Sequence, residues 1–500
     1  MINPIERITQ NRIIKLFTEQ LGYTYYGNWE ERPGNSNVET EYLRVFLQQH
    51  GYVEALIEKA TNEVYQLATS NAGNLYDRNQ KMYNLLRYGV KARPELGEQF
   101  ETIFPIDWKH WERNHFAIAE EVTLNNKQHN RRPDIVLYIN GIAFGILELK
   151  RGTTDIAESI RQNISNQQEI FSQGFFTTIQ IIMAGNNTQG LRYGTIETSE
   201  KYYLSWKEDE ADNEEYKLDK YLKKLCEKSR VIDLLYNGVI YDAGIKKLPR
   251  PHQYFALKES QDFVKRREGG IIWHTQGSGK SLMMVMLGKW ILENIPNSRI
   301  VILTDRTELD DQIERVFNDV GETDIGKTKS GRDLMHCLQA SKPRLICSLI
   351  HKFGNRGEAD FDSFINELKD NPIQTQGEIF VFVDECHRTQ SGKLNEAMKA
   401  ILHTAIFIGF TGTPLLKVDK KTTMDVFGRY IHTYKFNEAV KDGVVKDLMY
   451  EGRSIDQSLT SQTKVDQWFD TKTKGLNDFQ RNELKKKWGT MQNVLSSKGR

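Results

Sequence analysis

Cysteine is scarce in this sequence, and neither sign of charge is in surplus. The four cysteines among 500 residues, Cys226, Cys337, Cys347 and Cys386, lie far apart and form no CxxC pair, which argues against a thiolate zinc site and a disulfide framework. Lys and Arg number 68 against 67 Asp and Glu. No global field therefore steers the chain onto a polyanion, and DNA binding has to come from local patches. No apolar run approaches the roughly 18 residues of a membrane span. The start, Met1-Ile-Asn-Pro-Ile-Glu-Arg, lacks the apolar core of a signal peptide. These absences predict a soluble cytoplasmic protein in a reducing compartment, with no membrane partner.

What is present suffices for several cores. A composition 39% hydrophobic and 10% aromatic excludes disorder as the main state, and at roughly 100 to 200 residues per domain the length suggests about three domains. Residues 1–120 read as helix-rich, as in the amphipathic stretch Val38–Ile57. Residues 131–150, RRPDIVLYINGIAFGILELK, are two apolar runs around Asn140-Gly141, a hairpin signal. The acidic stretch 207–215 reads as a solvated loop, and the lysine-bearing run Leu218–Leu235 as a helix with a solvated face. From Gly269 onward, apolar runs at 270–273, 299–304, 344–349, 379–383 and 405–410 alternate with helix-like segments, predicting a parallel sheet wrapped by helices.

Residues 271–281, IIWHTQGSGKS, are an apolar strand entering a glycine turn, with a helix expected to begin near Lys280. This is a phosphate-binding loop. The backbone of Thr275, Gly277, Ser278 and Gly279 would wrap the phosphates of ATP. Lys280 would reach the β- and γ-phosphates, and the Ser281 hydroxyl would ligate Mg²⁺. One departure from GxxxxGK[ST] is His274, which stands at the first glycine. Downstream, residues 380–388, FVFVDECHR, end a buried strand with two carboxylates. Asp384 is placed to hold Mg²⁺ and Glu385 to polarise the attacking water. Cys386 reads as a buried spacer.

Asp384-Glu-Cys-His387 resembles the Walker B motif of superfamily 2 helicases and translocases. His252-Gln253 looks like the Q motif, whose Gln253 amide would pair with the adenine edge. Residues 304–312 look like motif Ia, residues 348–353 lie where such proteins contact the DNA backbone, and Thr411-Gly-Thr-Pro414 resembles motif III.

A metal-dependent nuclease needs carboxylates to hold Mg²⁺ at the scissile phosphate and a lysine to position the attacking water. Asp134 with Glu148-Leu-Lys150 supplies that set. Register decides whether it can work. A plain two-residue loop at Asn140-Gly141 pairs Asp134 with Leu147 and leaves Glu148 on the opposite face. One extra residue pairs Asp134 with Glu148, and Lys150 follows on the same face. A longer or bulged turn is therefore expected.

The segment resembles the PD-(D/E)xK nuclease fold, and residues 131–152 are similar to the nuclease domain of type I restriction enzyme motor subunits. In that family a QxxxY element follows on a helix; here Gln162 matches the glutamine, while Asn166 stands in the tyrosine position. The resemblance spans Phe116 to Glu451 and includes residues 427–443. It implies an α/β chain with a PD-(D/E)xK endonuclease domain over 1–240 and a first RecA-like, doubly wound ATPase domain over 245–450. Residues 451–500 would be a linker or the start of a second lobe. It further implies ATP and Mg²⁺ as cofactors, double-stranded DNA as substrate, and methyltransferase (M) and specificity (S) subunits as partners. No QxxGRxxR segment occurs in the sequence, so the chain reads as an N-terminal half that would turn over ATP poorly by itself. Two other readings stay open: an ATP-responsive DNA-binding or assembly module without nuclease activity, and a superfamily 2 repair helicase with an unrelated accessory domain.

Overall fold

The computed structural model describes residues 4–125, 130–169, 173–208, 214–304, 314, 317, 324–328, 331–349, 376–386, 402, 404–414, 423–449 and 462–488. The chain divides into a unit ending at Val445 and a second from Lys446. The second contains the helices Gln462–Lys472 and Asp478–Trp488.

Seven strands make the first sheet, side by side in chain order: β1 (Thr24–Asn28), β2 (Phe116–Glu120), β3 (Ile135–Ile139), β4 (Ile142–Leu149), β5 (Ile181–Asn186), β6 (Gly190–Gly194) and β7 (Leu204–Ser205). The pairs β1/β2 and β4/β5 are parallel and the others antiparallel. Every residue of β3 and β4 is buried, because helices cover both faces, and strands so covered read as continuous apolar runs. Among the helices are α1 (Pro4–Lys15), α2 (Thr40–Gln49), α3 (Glu54–Thr69), α4 (Leu75–Tyr88), α5 (Ile156–Asn166), α6 (Lys217–Leu225) and α7 (Lys228–Gly238). Leu43, Ala60, Met82, Leu222 and Leu235 pack with Ile135, Leu137 and Leu147 in one core, while Ile156 and Ile160 of α5 pack with Val136, Tyr138 and Ile146 on the other side.

Three sequence expectations change in detail. The stretch 38–57 is two helices, parted where Gly51 takes φ +80°, and residues 1–120 also supply β1 and β2. The run 218–235 is likewise two helices: the Glu227 carboxylate caps α7 by accepting from the Ser229 and Arg230 N–H groups at 3.1 and 2.9 Å, which starts a new helix there. Part of the acidic stretch lies outside the described residues, but Glu208 is no free loop carboxylate. It accepts from the Trp206 indole at 2.9 Å and pairs with Arg230.

The hairpin β8 (Ile240–Asp242) and β9 (Ile245–Lys247) leads through α8 (Pro251–Lys265) into the second sheet. Its strands are β10 (Gly270–His274), β11 (Ser298–Thr304), β12 (Ile325–Lys327), β13 (Leu345–Leu349), β14 (Glu378–Asp384), β15 (Ile406–Thr411) and β16 (Tyr430–Tyr434). They lie in the order β12-β13-β11-β14-β15-β10-β16, all parallel. The five apolar runs read from sequence are all strands; β12 and β16 were not foreseen. The helix α9 (Lys280–Asn294) follows β10, and ten of its fifteen residues are buried. Near its C-terminal end Glu293 forms a 2.5 Å ion pair with Arg87 of α4, a side chain only 1% exposed.

Candidate functional sites

The hairpin solves its register problem inside the strand and leaves the turn tight. Asn140 and Gly141 both take positive φ, +52° and +81°, as a type I′ turn requires, and Ile139 pairs with Ile142. The register then shifts: Tyr138 faces Ala143, but Leu137 faces Gly145, so Phe144 is the extra residue of a β-bulge. Beyond it Ile135 faces Leu147, which carries Asp134 opposite Glu148. The parity change is visible in the packing. Ile142 and Phe144 belong to the core under α7, as Leu147 and Leu149 do, whereas Ile146 belongs to the core under α5. Glu148 is therefore turned toward α5, and the expected extra residue is present three positions beyond the turn.

Glu148 is buried and Asp134 half-buried, their carboxyls within hydrogen-bonding reach of one another. Asp134 Oδ2 accepts from the Leu149 N–H at 2.6 Å. Burial pushes Asp134 up to about 6, against the pull of that hydrogen bond and of the Lys150 charge. Burial first, then the charge of Asp134, drives Glu148 well above the usual carboxylate range. In the absence of a cation the pair thus holds a proton. Lys150 lies within the electrostatic reach of both carboxyls. Its ammonium donates to the Leu149 carbonyl at 3.3 Å.

Helix α5 closes the site from the other side. Gln162 Nε2 donates to Glu148 Oε2 at 2.9 Å and Asn166 Nδ2 to Glu148 Oε1 at 3.2 Å, one turn apart on one face. Gln162 is thus part of the constellation, and Asn166 joins it with an amide where a phenol was expected. Sequence reasoning passed over Glu121 and Gln10. Glu121 takes φ +52°, its N–H donates to the Asp134 carbonyl at 3.0 Å, and its carboxylate accepts from Gln10 at 2.7 Å and from Arg132 at 2.7 Å. Gln10 also donates to the Asp134 carbonyl, at 3.1 Å. A legible signal existed: Glu120-Glu121 ends the strand that pairs with the Asp134 strand.

Among the described residues no group of three or more His, Cys, Asp or Glu side chains could hold a metal. Two carboxylates nevertheless fit a cation such as Mg²⁺, which keeps several waters and takes remaining ligands from a substrate phosphate. The buried proton of the pair supports this, since two acids held this close are stable as dianions only with a cation between them.

In the second sheet, Gly277 and Gly279 take φ +81° and +90°, and Gly279 is the N-cap of α9, so the loop closes onto a helix N-terminus. Ser278 Oγ donates to the Thr275 carbonyl at 2.6 Å, and the Thr275 N–H donates to the Tyr434 carbonyl at 2.9 Å. Lys280 Nζ lies 3.4 Å from the His274 carbonyl and 3.9 Å from Glu385 Oε1. Ser281 is half-buried in the first turn of α9 and Asp384 buried at the end of β14. Glu385, at φ +45°, follows it. Gly412 packs against the loop: a Cβ there would stand 3.1 Å from the Gln276 nitrogen and 3.6 Å from Lys280 Nζ. Cys386 is buried under Gly409. Residues 305–312 of the motif Ia segment, 350–353 and His387-Arg388 lie outside the described residues.

His274 explains its own departure from glycine. It is the last residue of β10 and precedes the turn, so no special backbone conformation is required. Its side chain points beneath the loop, with Nε2 2.8 Å from His432 Nδ1. His252 Nε2 lies 3.0 Å from the Ser278 carbonyl, its ring stacked on Tyr434 at 3.8 Å. Burial lowers His252 and His432 to about 4 and also drives His274 well below the usual imidazole range, so all three imidazoles are neutral at neutral pH. Gln253 is engaged with the loop itself. Its amide donates to the Gly279 carbonyl at 3.0 Å and its Oε1 accepts from the Arg250 N–H at 2.8 Å. Placed at N3 of a helix with Pro251 at its start, it braces the loop through these bonds.

Comparison with known proteins finds two family matches along the chain. Residues 5–201 match the type I restriction enzyme R protein N terminus (HSDR_N), and residues 252–482 match the SWI2/SNF2 ATPase. The chain is 30% identical to the type I restriction enzyme HindI endonuclease subunit of Haemophilus influenzae, the match covering 90% of this chain and 46% of that one. It is 26% identical to the putative type I restriction enzyme MjaIXP endonuclease subunit of Methanocaldococcus jannaschii, over 89% and 46% of the two chains. It spans about half the length of these relatives. Over that half, the chain belongs with the type I restriction enzyme R proteins, an HSDR_N domain followed by a SWI2/SNF2 ATPase domain.

Proposed function

We propose that the chain is the nuclease and first motor lobe of a type I restriction enzyme: a Mg²⁺-dependent endonuclease joined to an ATP-driven translocase on double-stranded DNA. It would act with methyltransferase and specificity subunits in the cytoplasm. The boundaries proposed are 1–240 for the nuclease, 245–450 for the first ATPase lobe and 451–500 for the passage toward a second. The observation that carries the nuclease reading is the Phe144 bulge, which brings Asp134 and Glu148 onto one face within reach of Lys150. Asp134 and Glu148 would hold Mg²⁺, whose role when bound is to stabilise charge on the scissile phosphate. Lys150 would orient the attacking water, and Gln162 and Asn166 would fix the Glu148 carboxylate. On the motor side, Thr275, Gly277, Ser278, Gly279 and Lys280 would receive the phosphates of ATP, Ser281 and Asp384 the accompanying Mg²⁺, and Glu385 would orient the attacking water. Gln253, which also braces the loop at Gly279, would pair with the adenine edge.

The test is nicking of circular DNA with Mg²⁺, with and without ATP and the partner subunits. Asp134→Ala, Glu148→Ala and Lys150→Ala should each abolish cleavage while ATP binding persists. Cleavage surviving in either carboxylate variant would overturn the assignment of this site, whereas no Mg²⁺-dependent cleavage by the wild type would favour the assembly-module reading.

A further inference from the structure

Helix α1 carries a glutamine on the side that faces the core. Gln10 is 2% exposed and stands one turn before the wholly buried Ile13, on the face where apolar side chains ordinarily sit. The helix is docked without it. Arg7 grips Glu120 through two hydrogen bonds, at 2.7 and 3.0 Å, and Arg12 donates to Asp219 at 2.9 Å and to the Asn187 amide oxygen at 2.6 Å.

What Gln10 holds is the residue that enters β3. Its Nε2 donates to the Asp134 carbonyl at 3.1 Å and to Glu121 Oε1 at 2.7 Å, which engages both amide hydrogens. The same Asp134 carbonyl accepts from the Glu121 N–H at 3.0 Å, so that oxygen has a donor for each lone pair. Glu121 presents its N–H from a left-handed backbone, φ +52°, a conformation that a residue other than glycine keeps only where its surroundings enforce it. The enforcement is on the page. Glu121 is 1% exposed; its Oε1 holds Gln10, and its Oε2 holds Arg132 Nε at 2.7 Å. Arg132 lies two residues before Asp134, so one carboxylate ties down the chain on its way into Asp134 and, through Gln10, the Asp134 carbonyl as well. From the other side the Leu149 N–H holds Asp134 Oδ2 at 2.6 Å. Main chain and side chain of Asp134 are thus fixed from different elements, α1 and the end of β2 for the first, β4 for the second.

We propose that Gln10 and Glu121 are positioning residues for Asp134: by pinning its carbonyl they fix the backbone from which its carboxyl is aimed, beside Glu148, at a divalent cation. Glu121 is not assigned as a ligand, since each of its oxygens already holds a donor and no group of three or more His, Cys, Asp or Glu side chains among the described residues could hold a metal. Released from Gln10, the Asp134 backbone would keep one donor of two, and the carboxyl would lose the fixed base that sets its direction. Metal affinity is the quantity that such a loss lowers. The proposal rests on the nuclease reading above.

The experiment uses the full chain with its partner subunits and reads Ca²⁺ binding by calorimetry, DNA nicking as a function of Mg²⁺ concentration, and melting temperature. Gln10→Met keeps an unbranched side chain and removes both donors. It should weaken Ca²⁺ binding and raise the half-saturating Mg²⁺ about 10-fold, as loss of groups that orient a metal ligand does, with the rate at saturating Mg²⁺ within about 2-fold of wild type. Arg12→Met loosens the same helix away from Asp134; it should lower the melting temperature and leave the half-saturating Mg²⁺ within about 2-fold of wild type. Equal shifts of Mg²⁺ dependence in these two variants would trace the effect to helix docking and overturn the inference. Glu121→Gln, whose side-chain oxygen can still accept from Gln10, should keep Ca²⁺ affinity within about 3-fold. Loss of binding as complete there as in Asp134→Ala would make Glu121 a ligand and overturn its positioning role. If Gln10→Met does not fold, Glu121→Ala carries the expectation stated for it. Wild-type metal dependence in Gln10→Met, with Asp134→Ala inactive and unable to bind Ca²⁺, would overturn this inference alone. Wild-type binding and nicking in Asp134→Ala would overturn the nuclease reading and this inference with it.

Discussion

A single carboxyl reports the state of the nuclease site. Asp134 is raised to about 6 by burial, so between its unfolded value near 4 and 6 the folded chain holds a proton that the unfolded chain has released. The contribution is fully present below about 4 and is lost as pH rises through about 6, because stability falls wherever the folded state binds more protons. Denaturant midpoints of the metal-free protein should therefore drop between pH 4 and 6, and Asp134→Asn should flatten that segment. Divalent cation should offset the loss more strongly as pH rises, since it binds the deprotonated pair. The imidazoles beneath the phosphate loop carry the opposite sign. His252 and His432 are lowered to about 4, so their contribution is present above about 6.5 and lost as pH falls through 4. Amide exchange at Thr275–Ser278 should accelerate in that acid window, and His432→Gln should diminish the acceleration. A rate of exchange there that is independent of pH, after correction for intrinsic chemistry, would contradict the neutral cluster.

At the scale of elements, two glycines and a bulge set the nuclease hairpin. A Cβ at Gly141 would stand 2.5 Å from the Glu39 carbonyl and 2.8 Å from Tyr42 Cβ, at φ +81°. Gly141→Ala should thus cost at least about 2 kcal/mol, combining left-handed backbone strain with the clash, read as a shifted denaturation midpoint. The milder Gly145→Ala meets Ile181 Cγ2 at 3.1 Å beside the bulge; it should reduce cleavage more than stability if the bulge aims Glu148. Here the sequence was partly legible. The need for one extra residue followed from the parity of Asp134 and Glu148, but nothing in the apolar run distinguishes Phe144 from its neighbours, since every residue of β4 is buried. The parallel strands of the second sheet were plain for a related reason: strands buried on both faces have no polar alternation to confuse with a loop. The short strand β1, TYYGN, has no buried residue and carried no such signal.

For the whole molecule, the decisive question is how far one lobe can carry ATP. Lys280, Ser281, Asp384 and Glu385 surround one side of the phosphate loop, and no QxxGRxxR segment offers an arginine for the other. An arginine supplied to the transferring phosphoryl group is worth about 10³ to 10⁵ in rate in related reactions. The 500 residues alone should bind ATP, hydrolyse it slowly and respond little to DNA; adding a second lobe that bears this motif should restore DNA-stimulated hydrolysis. Lys280→Ala should weaken ATP binding, and unchanged affinity in that variant would count against the loop. Vigorous DNA-dependent turnover by the chain alone would show that an arginine comes from elsewhere.

The ion pair between Arg87 and Glu293 gives α9 a mechanical character. The helix is fifteen residues long, about 22 Å at 1.5 Å per residue; its first turn holds Lys280 and Ser281, and its far end is bolted to α4 beneath the nuclease sheet. It is a strut with one foot at the phosphates and the other on the body that would hold the DNA. A tilt of only about 5° about the phosphate foot would move the far end by about 2 Å over that length, enough to part a 2.5 Å ion pair. The strut would then either stay still or drag α4 with it, and load applied to the proposed nuclease half would be borne at the same turn of helix that is proposed to hold the nucleotide.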